Sequence, residues 1–221
     1  MDRLTLVIGN KNYSSWSLRP WVLMKHFGIA FDEVRIPLFQ SESPQRLREN
    51  SPSGRVPVLR DGKVTIWDSL AICEYLAEKF PQHSLWPTST EARAVARSVS
   101  AEMHSGFSAL RENMSMNCRK HLPGKGRAPG VQDDIDRITA IWRDCRNSYG
   151  AGGDMLFGKF SIADAMFAPV TFRFVTYGVD TDPVSAAYIK AMQALAPMQS
   201  LPPPLALLPA SLASGPAPAL P

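Results

Sequence analysis

Residues 54–72, GRVPVLRDGKVTIWDSLAI, change from a strand pattern to a helix pattern along one short stretch. Residues 56–60 and 64–67 are rich in β-branched and aromatic residues, and the Asp61-Gly62 pair between them is typical of a two-residue hairpin turn. Asp68-Ser69 follows, and both residue types favour the start of a helix. The stretch therefore predicts a β-hairpin that leads directly into a helix.

Upstream of the hairpin, strand-like and helix-like runs alternate. Residues 4–8 form a short β-rich run, and residues 17–27 carry apolar residues at helical spacing. Pro20 fits the first turn of that predicted helix, because a backbone N–H is not needed there. Residues 31–38 predict a second strand, and residues 44–50 a short helix or turn.

The chain divides into parts with different patterns. Residues 1–80 have the predicted order β-α-β-α-β-β-α, and residues 81–90, which contain two prolines, predict a linker. Residues 91–199 show helical patterns only, so the predicted fold class is α/β plus all-α, in two structural units. Residues 200–221 are rich in proline and alanine, and we expect them to be disordered and dispensable. A proline-rich docking segment is the alternative for this tail.

Composition excludes several classes of function. The chain of 221 residues is 45% hydrophobic and 20% charged, which is typical of globular proteins. It has no long apolar run that predicts a membrane span, and a net charge of +4 does not indicate nucleic-acid binding. Three widely spaced cysteines and four scattered histidines predict neither disulfides nor a metal site. Without a signal-peptide pattern, we expect a cytoplasmic location.

Four short motifs occur in order along the chain. They are YSSWSLR at residues 13–19, GRVPVL at 54–59, DSLAI at 68–72 and SIAD at 161–164. With the predicted element order, the chain resembles the cytosolic glutathione S-transferases, and among them the serine-type branches that include the zeta-like class. The resemblance implies a thioredoxin-like N-terminal domain, a helical C-terminal domain, glutathione as co-substrate and a homodimer.

The serines of the first motif lie between the first predicted strand and the first predicted helix, where the positive end of the helix faces outward. The resemblance implies that Ser14 donates a hydrogen bond to the thiolate of glutathione and that Ser15 lies beside it in the glutathione site. Such a bond to the charged form makes a thiol more acidic, and the thiolate is the nucleophile. Helix capping is the alternative role for these serines. Ser15 and Ser17 are the alternative donors.

The second and third motifs complete the predicted glutathione site. The resemblance implies a cis peptide bond between Val56 and Pro57, with Val56 paired in strand fashion with the cysteinyl part of glutathione. The residues alone favour an ordinary trans proline at the start of a strand. The resemblance also implies that Ser69, as a helix N-cap, takes the γ-glutamyl carboxylate. Asp68 is implied to hold the amino group, although it is shorter than the Glu or Gln usual there.

The sequence gives weaker evidence for the second-substrate site than for the glutathione site. His104, Phe107 and Arg111 have spacings of three or four, so we expect them on one face of one long helix that borders the cleft. Ordinary helix packing is the alternative for this stripe. The fourth motif, residues 161–164, predicts a capping box with a structural role only.

The resemblance implies an enzyme that conjugates the glutathione thiolate to a small electrophile. A glutathione-dependent cis–trans isomerase is one alternative, although the zeta-like motif is usually Ser-Ser-Cys-Ser and this chain has Trp16 in place of the cysteine. A non-catalytic binding protein on the same fold, similar to the stringent-starvation proteins, is the other alternative, because fold alone does not determine function.

Overall fold

A computed structural model describes residues 3–201. The N-terminal part of the described chain contains a mixed four-stranded sheet. Its strands are β1 (Leu4–Ile8), β2 (Phe31–Arg35), β3 (Val58–Asp61) and β4 (Val64–Trp67), in the order β2-β1-β3-β4. β1 runs parallel to β2 and antiparallel to β3, and β3 runs antiparallel to β4. This arrangement confirms the predicted thioredoxin-like topology.

The side chains of β1 belong to two hydrophobic clusters, one on each face of the sheet, because successive side chains of a strand point to opposite faces. Leu4, Leu6 and Ile8 belong to the large hydrophobic core that extends into the helical part. Val7 instead joins Ile36 and a few other apolar residues in a small cluster on the other face. The sheet is therefore covered on both faces.

Three helices accompany the sheet: α1 (Ser15–His26), α2 (Ser43–Asn50) and α3 (Ser69–Lys79). The prediction that Pro20 lies in the first turn of α1 is wrong, because the helix begins at Ser15 and Pro20 lies inside it. Proline has no N–H, so the carbonyl of Trp16 does not receive the usual helical hydrogen bond.

Two strand boundaries also differ from the sequence-based expectation. Asp61 pairs with Val64, so the hairpin turn is Gly62-Lys63 and not Asp61-Gly62. Gly62 has a φ of +55°, a conformation that glycine adopts without steric cost. β2 ends at Arg35 and does not continue to residue 38, since Pro37 has no N–H to donate to a strand ladder.

The rest of the described chain is helical. After a 3₁₀ turn at Pro81–His83, the helices are α4 (Thr90–Ser105), α5 (Ser108–Asn113), α6 (Val131–Tyr149), α7 (Ile162–Tyr177), α8 (Pro183–Gln193) and α9 (Ala196–Gln199). α7 is buried almost throughout and packs against α1, so the sheet part and the helical part share one core. Among residues 3–201, no helix is both long and apolar enough to cross a membrane. The boundaries of the two units and the linker stay predictions.

The start of α7 confirms the predicted capping box. The Asp164 carboxylate accepts hydrogen bonds from the Ser161 amide at 2.9 Å, the Ser161 hydroxyl at 3.1 Å and the Leu156 amide at 3.0 Å. Complete burial raises the pKa of Asp164 to about 6 despite these bonds. The motif therefore anchors the loop before α7 to the helix.

The single long helix predicted to carry His104, Phe107 and Arg111 is in fact two helices, so that expectation is wrong. α4 ends at Ser105, and Phe107, which has a φ of +62°, precedes α5. A Cβ on Gly106 would lie 2.9 Å from the carbonyl oxygen of Glu102, so glycine permits the close approach at this break.

The predicted tail begins within the described chain and continues beyond it. Residues 202–221 lie outside the described residues, so disorder there stays a prediction. Leu201, by contrast, is only 3% exposed and belongs to the hydrophobic core. The described end of the chain is therefore packed against the rest of the protein.

Candidate functional site

The serine cluster lies where β1 ends and α1 begins. The Ser14 hydroxyl donates to Ser17 Oγ at 2.8 Å, and the Gly9 amide donates to the same Ser17 oxygen at 3.0 Å. A Cβ on Gly9 would lie 2.9 Å from Ser14 Oγ and 2.7 Å from Leu38 Cδ1, so a larger residue at this position would displace these side chains. Ser14, Ser17 and Gly9 thus form a short hydrogen-bonded chain held against the sheet.

Ser14 occupies the N-cap position of α1 without performing side-chain capping. Its hydroxyl bonds to Ser17 and not to a backbone N–H of the helix. Ser15 is the first helical residue, and Ser14 and Ser15 are each 8% exposed. The positive end of the α1 dipole therefore has no capping oxygen from Ser14, and this leaves it available to an anion.

The second motif has the backbone geometry that the resemblance implies. The peptide bond between Val56 and Pro57 is cis, which confirms that prediction, and the trans alternative is wrong. Pro57 is buried directly before β3, while Val56 is partly exposed and packs against the small cluster that contains Val7 and Val58. Val56 therefore lies at the sheet, two residues before the first residue of β3.

The third motif corrects the predicted cap. The N-cap of α3 is Asp68 and not Ser69, because Asp68 Oδ1 accepts from the amides of Leu70 at 2.9 Å and Ala71 at 3.2 Å. A carboxylate at this position reaches two otherwise unpaired N–H groups of the first turn. Ser69 becomes the first helical residue and is only 1% exposed.

Arg19 connects the first motif to the third. Its Nη1 donates to Ser69 Oγ at 3.2 Å, which joins α1 to the start of α3. Arg19 is 1% exposed, and burial, with a smaller contribution from Arg111, lowers its pKa to about 9. Its buried Nε has no hydrogen-bond partner among the described residues. One feature of the sequence indicates a role for Arg19: it is a charged residue among the apolar residues of α1.

Trp16 lies at the junction of α1 with the helical part. The guanidinium groups of Arg19 and Arg111 lie 4.3 Å and 4.8 Å from its ring centre, and the His104 ring meets it edge-on at 5.3 Å. Such contacts between cations and an aromatic face are attractive. The indole is 38% exposed, so Trp16 also presents surface to solvent.

The structure brings two of the three predicted second-substrate residues together. His104, at the end of α4, and Arg111, on α5, both contact Trp16. His104 Nε2 also lies 3.0 Å from Asp68 Oδ2, which links the helical part to the third motif. Phe107 is 7% exposed and packs into the hydrophobic core instead.

The neighbourhood of Trp16 carries an excess of positive charge. Arg173 on α7 is buried, and burial together with Arg111 lowers its pKa to about 10. Within residues 3–201, no ion pair joins Arg19, Arg111 or Arg173 to a carboxylate. Burial lowers the pKa of His104, Asp68 raises it, and Arg19 and Arg111 lower it further. This charge distribution favours anionic groups near Trp16.

Two cavities lie near or beyond this cluster. The first, about 10 Å³, is lined by Ser14, Ser17 and Leu201 among others and is too small for a substrate. The second is an open cleft of about 450 Å³ beside Trp86 and Tyr149, and none of the predicted site residues lines it. The first cavity therefore lies at the serine cluster, and the second lies away from the predicted site residues.

A family model for the N-terminal domain of glutathione S-transferases matches residues 13–79. This range includes the serine cluster, the cis proline and the third motif.

Relatives that match over most of the chain extend the likeness to the helical part. The maleylacetoacetate isomerase of Rattus norvegicus is 30% identical over 76% of this chain and 77% of its own length. A zeta-class glutathione S-transferase of Euphorbia esula is 32% identical over 76% of this chain and 75% of its own. A solved Burkholderia glutathione transferase homologue with bound glutathione has a TM-score of 0.68 and 25% identity, covering 90% of this chain and 96% of its own.

Proposed function

The chain belongs to the glutathione S-transferase family, and we propose that it conjugates the thiolate of glutathione to a small electrophile. The observation that carries this proposal is the serine chain at the start of α1. The Ser14 hydroxyl lies at a helix N-terminus that its side chain does not cap, and Ser17 and Gly9 support it from behind. A hydroxyl placed in this way stabilises an anion that approaches the helix.

The serine chain activates the thiol by hydrogen bonding and takes no proton itself. A hydroxyl both donates and accepts, so Ser17 can donate to Ser14 Oγ once Ser14 turns its own proton toward the sulfur. The Gly9 N–H polarises Ser17, and Ser17 in turn makes Ser14 a better donor. The thiol proton leaves to solvent, and the population of thiolate at neutral pH rises.

The remaining groups orient glutathione along the sheet. We assign the cysteinyl backbone to Val56, with Pro57 behind it, in the manner of an added strand. Ser69 accepts from Arg19, so its own proton is free to donate to the γ-glutamyl carboxylate, and the Arg19 charge attracts the same anion. Ser15 lies on the first turn of α1 beside the thiolate, and Asp68 takes the amino group.

The electrophile is held across from the thiolate, next to Trp16. His104 and Arg111 contact this ring from the helical part, and Phe107 packs in the core. The sulfur forms a bond to the electrophilic carbon, and the leaving group departs with the bonding electron pair. Holding both reactants in one cleft contributes by proximity.

Glutathione-dependent isomerisation is the second candidate. One of the relatives named above is a maleylacetoacetate isomerase, and another is a zeta-class glutathione S-transferase. There the thiolate adds to a double bond and leaves again after rotation, so glutathione is not consumed. Trp16 occupies the position where the zeta-like motif usually has cysteine, which changes the shape of the second-substrate site.

The decisive experiment combines binding and product analysis. We expect the protein to bind immobilised glutathione and to form a thioether with an aromatic halide at a rate proportional to enzyme concentration. If the protein isomerises a cis enone diacid only when glutathione is present, and glutathione is not consumed, the second candidate is favoured. Absence of both glutathione binding and turnover would instead favour a non-catalytic binding protein.

We further propose a homodimer that works in the cytoplasm. Val64 and Trp67 on β4, an edge strand of the described sheet, are 50% and 48% exposed, which favours a covered surface there. The three cysteines are free and buried, in keeping with a reducing compartment. A monomeric mass by light scattering would contradict the dimer.

A further inference from the structure

One contact joins the helical part directly to the third motif. His104 Nε2, on α4, lies 3.0 Å from Asp68 Oδ2, at the N-cap of α3. The other oxygen, Oδ1, already accepts from the amides of Leu70 and Ala71. His104 therefore contacts the one Asp68 oxygen that the helix leaves unused.

We propose that His104 is a positioning residue for glutathione, which fixes Asp68 Oδ2 so that this oxygen receives the γ-glutamyl ammonium group. The inference rests on the proposed function and adds to it a residue from the helical part. A carboxylate oxygen has two acceptor positions, so a bond from His104 leaves room for a second donor. Two amides hold Oδ1 and one imidazole holds Oδ2, so the carboxylate is fixed before glutathione arrives.

The surroundings of His104 identify its protonation state. At 3.0 Å from a carboxylate, Nε2 carries the proton and donates it. Nδ1 is buried and has no hydrogen-bond partner among the described residues. A proton on Nδ1 would create a buried donor with no acceptor, which is costly. His104 is therefore a neutral donor, and it adds no positive charge that would compete with the ammonium group at Asp68.

Charged groups on several neighbouring elements affect the protonation of the His104 imidazole. Arg19 on α1 and Arg111 on α5 oppose protonation of His104, whereas Asp68 on α3 favours it. The edge of His104 also meets the Trp16 ring at 5.3 Å, which limits rotation of the imidazole. The two arginines and Trp16 thus favour the neutral, oriented form that the proposal requires.

The test compares glutathione with glutaryl-cysteinyl-glycine, an analogue that lacks only the amino group. In His104→Leu, we expect the Kd and KM for glutathione to rise about three- to tenfold, the effect of a weakened contact to a charged group. The Kd for the analogue should change less than about twofold, because the analogue has no ammonium group for Asp68 to receive. His104→Gln, whose side-chain amide donates from a similar reach, should restore most of the affinity. Ser105→Ala is the matched control, since that exposed hydroxyl bonds only to its own helix.

Each result has a definite meaning. If the wild-type protein does not bind glutathione, the proposed function and this inference are both wrong. If it binds glutathione but His104→Leu weakens both ligands equally, or neither, only the inference is overturned.

Should His104→Leu not fold, the wild-type protein provides the same test. The preference for glutathione over the analogue should fall as His104 becomes charged, which happens below the ordinary histidine pKa of about 6.5 because burial, Arg19 and Arg111 lower the His104 pKa more than Asp68 raises it. A preference that stays constant from neutral pH down to the lowest pH at which the protein remains folded would contradict the inference.

Discussion

Replacing Ser14 by alanine tests the activation mechanism, because the substitution removes one hydroxyl and little else. Ser14 Oγ now donates to Ser17 at 2.8 Å, and the residue is 8% exposed, so few water molecules can replace it. A hydrogen bond to an anion is typically worth about 1.5–3 kcal/mol, and one pKa unit corresponds to about 1.36 kcal/mol. Loss of this donor should therefore raise the pKa of bound glutathione by about one to two units.

The assay is the ultraviolet absorbance of the thiolate in the enzyme–glutathione complex, followed as a function of pH. Turnover near neutral pH should fall about tenfold or more, in proportion to the lost thiolate, while the Kd for glutathione changes little. Ser15→Ala is the matched control on the same turn, and Ser17→Ala should have a smaller effect because Ser17 acts through Ser14.

Two results would refute this reasoning. A titration that is unchanged in Ser14→Ala but shifted in Ser15→Ala would transfer the role to the next residue. No shift in any of the three variants would show that the backbone N–H groups and the helix end activate the thiol without a hydroxyl.

Three further predictions concern the structure around the site. Asp182→Ala should lower the free energy of unfolding by about 1 kcal/mol or more, since Asp182 caps α8 and pairs with Arg143 at 2.8 Å. Burial raises the pKa of Asp182, but hydrogen bonds and Arg143 outweigh it and lower that pKa to about 2. The stabilisation that Asp182 provides should therefore be present above about pH 4 and be lost as the pH falls toward 2. Denaturant titrations at several pH values would detect this loss. Leu201→Ala should cost about 2–5 kcal/mol, because the side chain is 3% exposed in the core, and an unfolding free energy within about 0.5 kcal/mol of wild type would contradict that. Trp16→Ala should cost about 1–2 kcal/mol through the two lost cation–π contacts, and an unchanged denaturation midpoint would show that these contacts contribute nothing.

Local patterns were sufficient for much of the fold. Strand periodicity gave β1, and turn and capping residues gave the hairpin with the helix after it, although the turn lies one residue later. The capping box at Ser161 and Asp164 was also predicted, because all its partners lie within a few residues. The cis bond before Pro57 required the family resemblance, since the residues alone favour trans.

The errors and omissions arise where distant parts of the chain meet. Ser69 was predicted as the cap, but the Asp68 carboxylate reaches the same amides, and Arg19 from another helix takes the Ser69 hydroxyl. Helical spacing suggested one helix through Phe107, whereas Gly106 allows a break there. The contacts of Trp16 with Arg111 and His104, and of Arg19 with Ser69, were missed because these partners lie on other elements.

A structure of the protein with bound glutathione would locate the sulfur relative to the serine cluster. We predict that the sulfur lies within hydrogen-bond distance of Ser14 Oγ at the start of α1, with the γ-glutamyl end at Asp68 and Ser69. Glutathione bound with its sulfur at Ser15, or bound away from the start of α1, would contradict it.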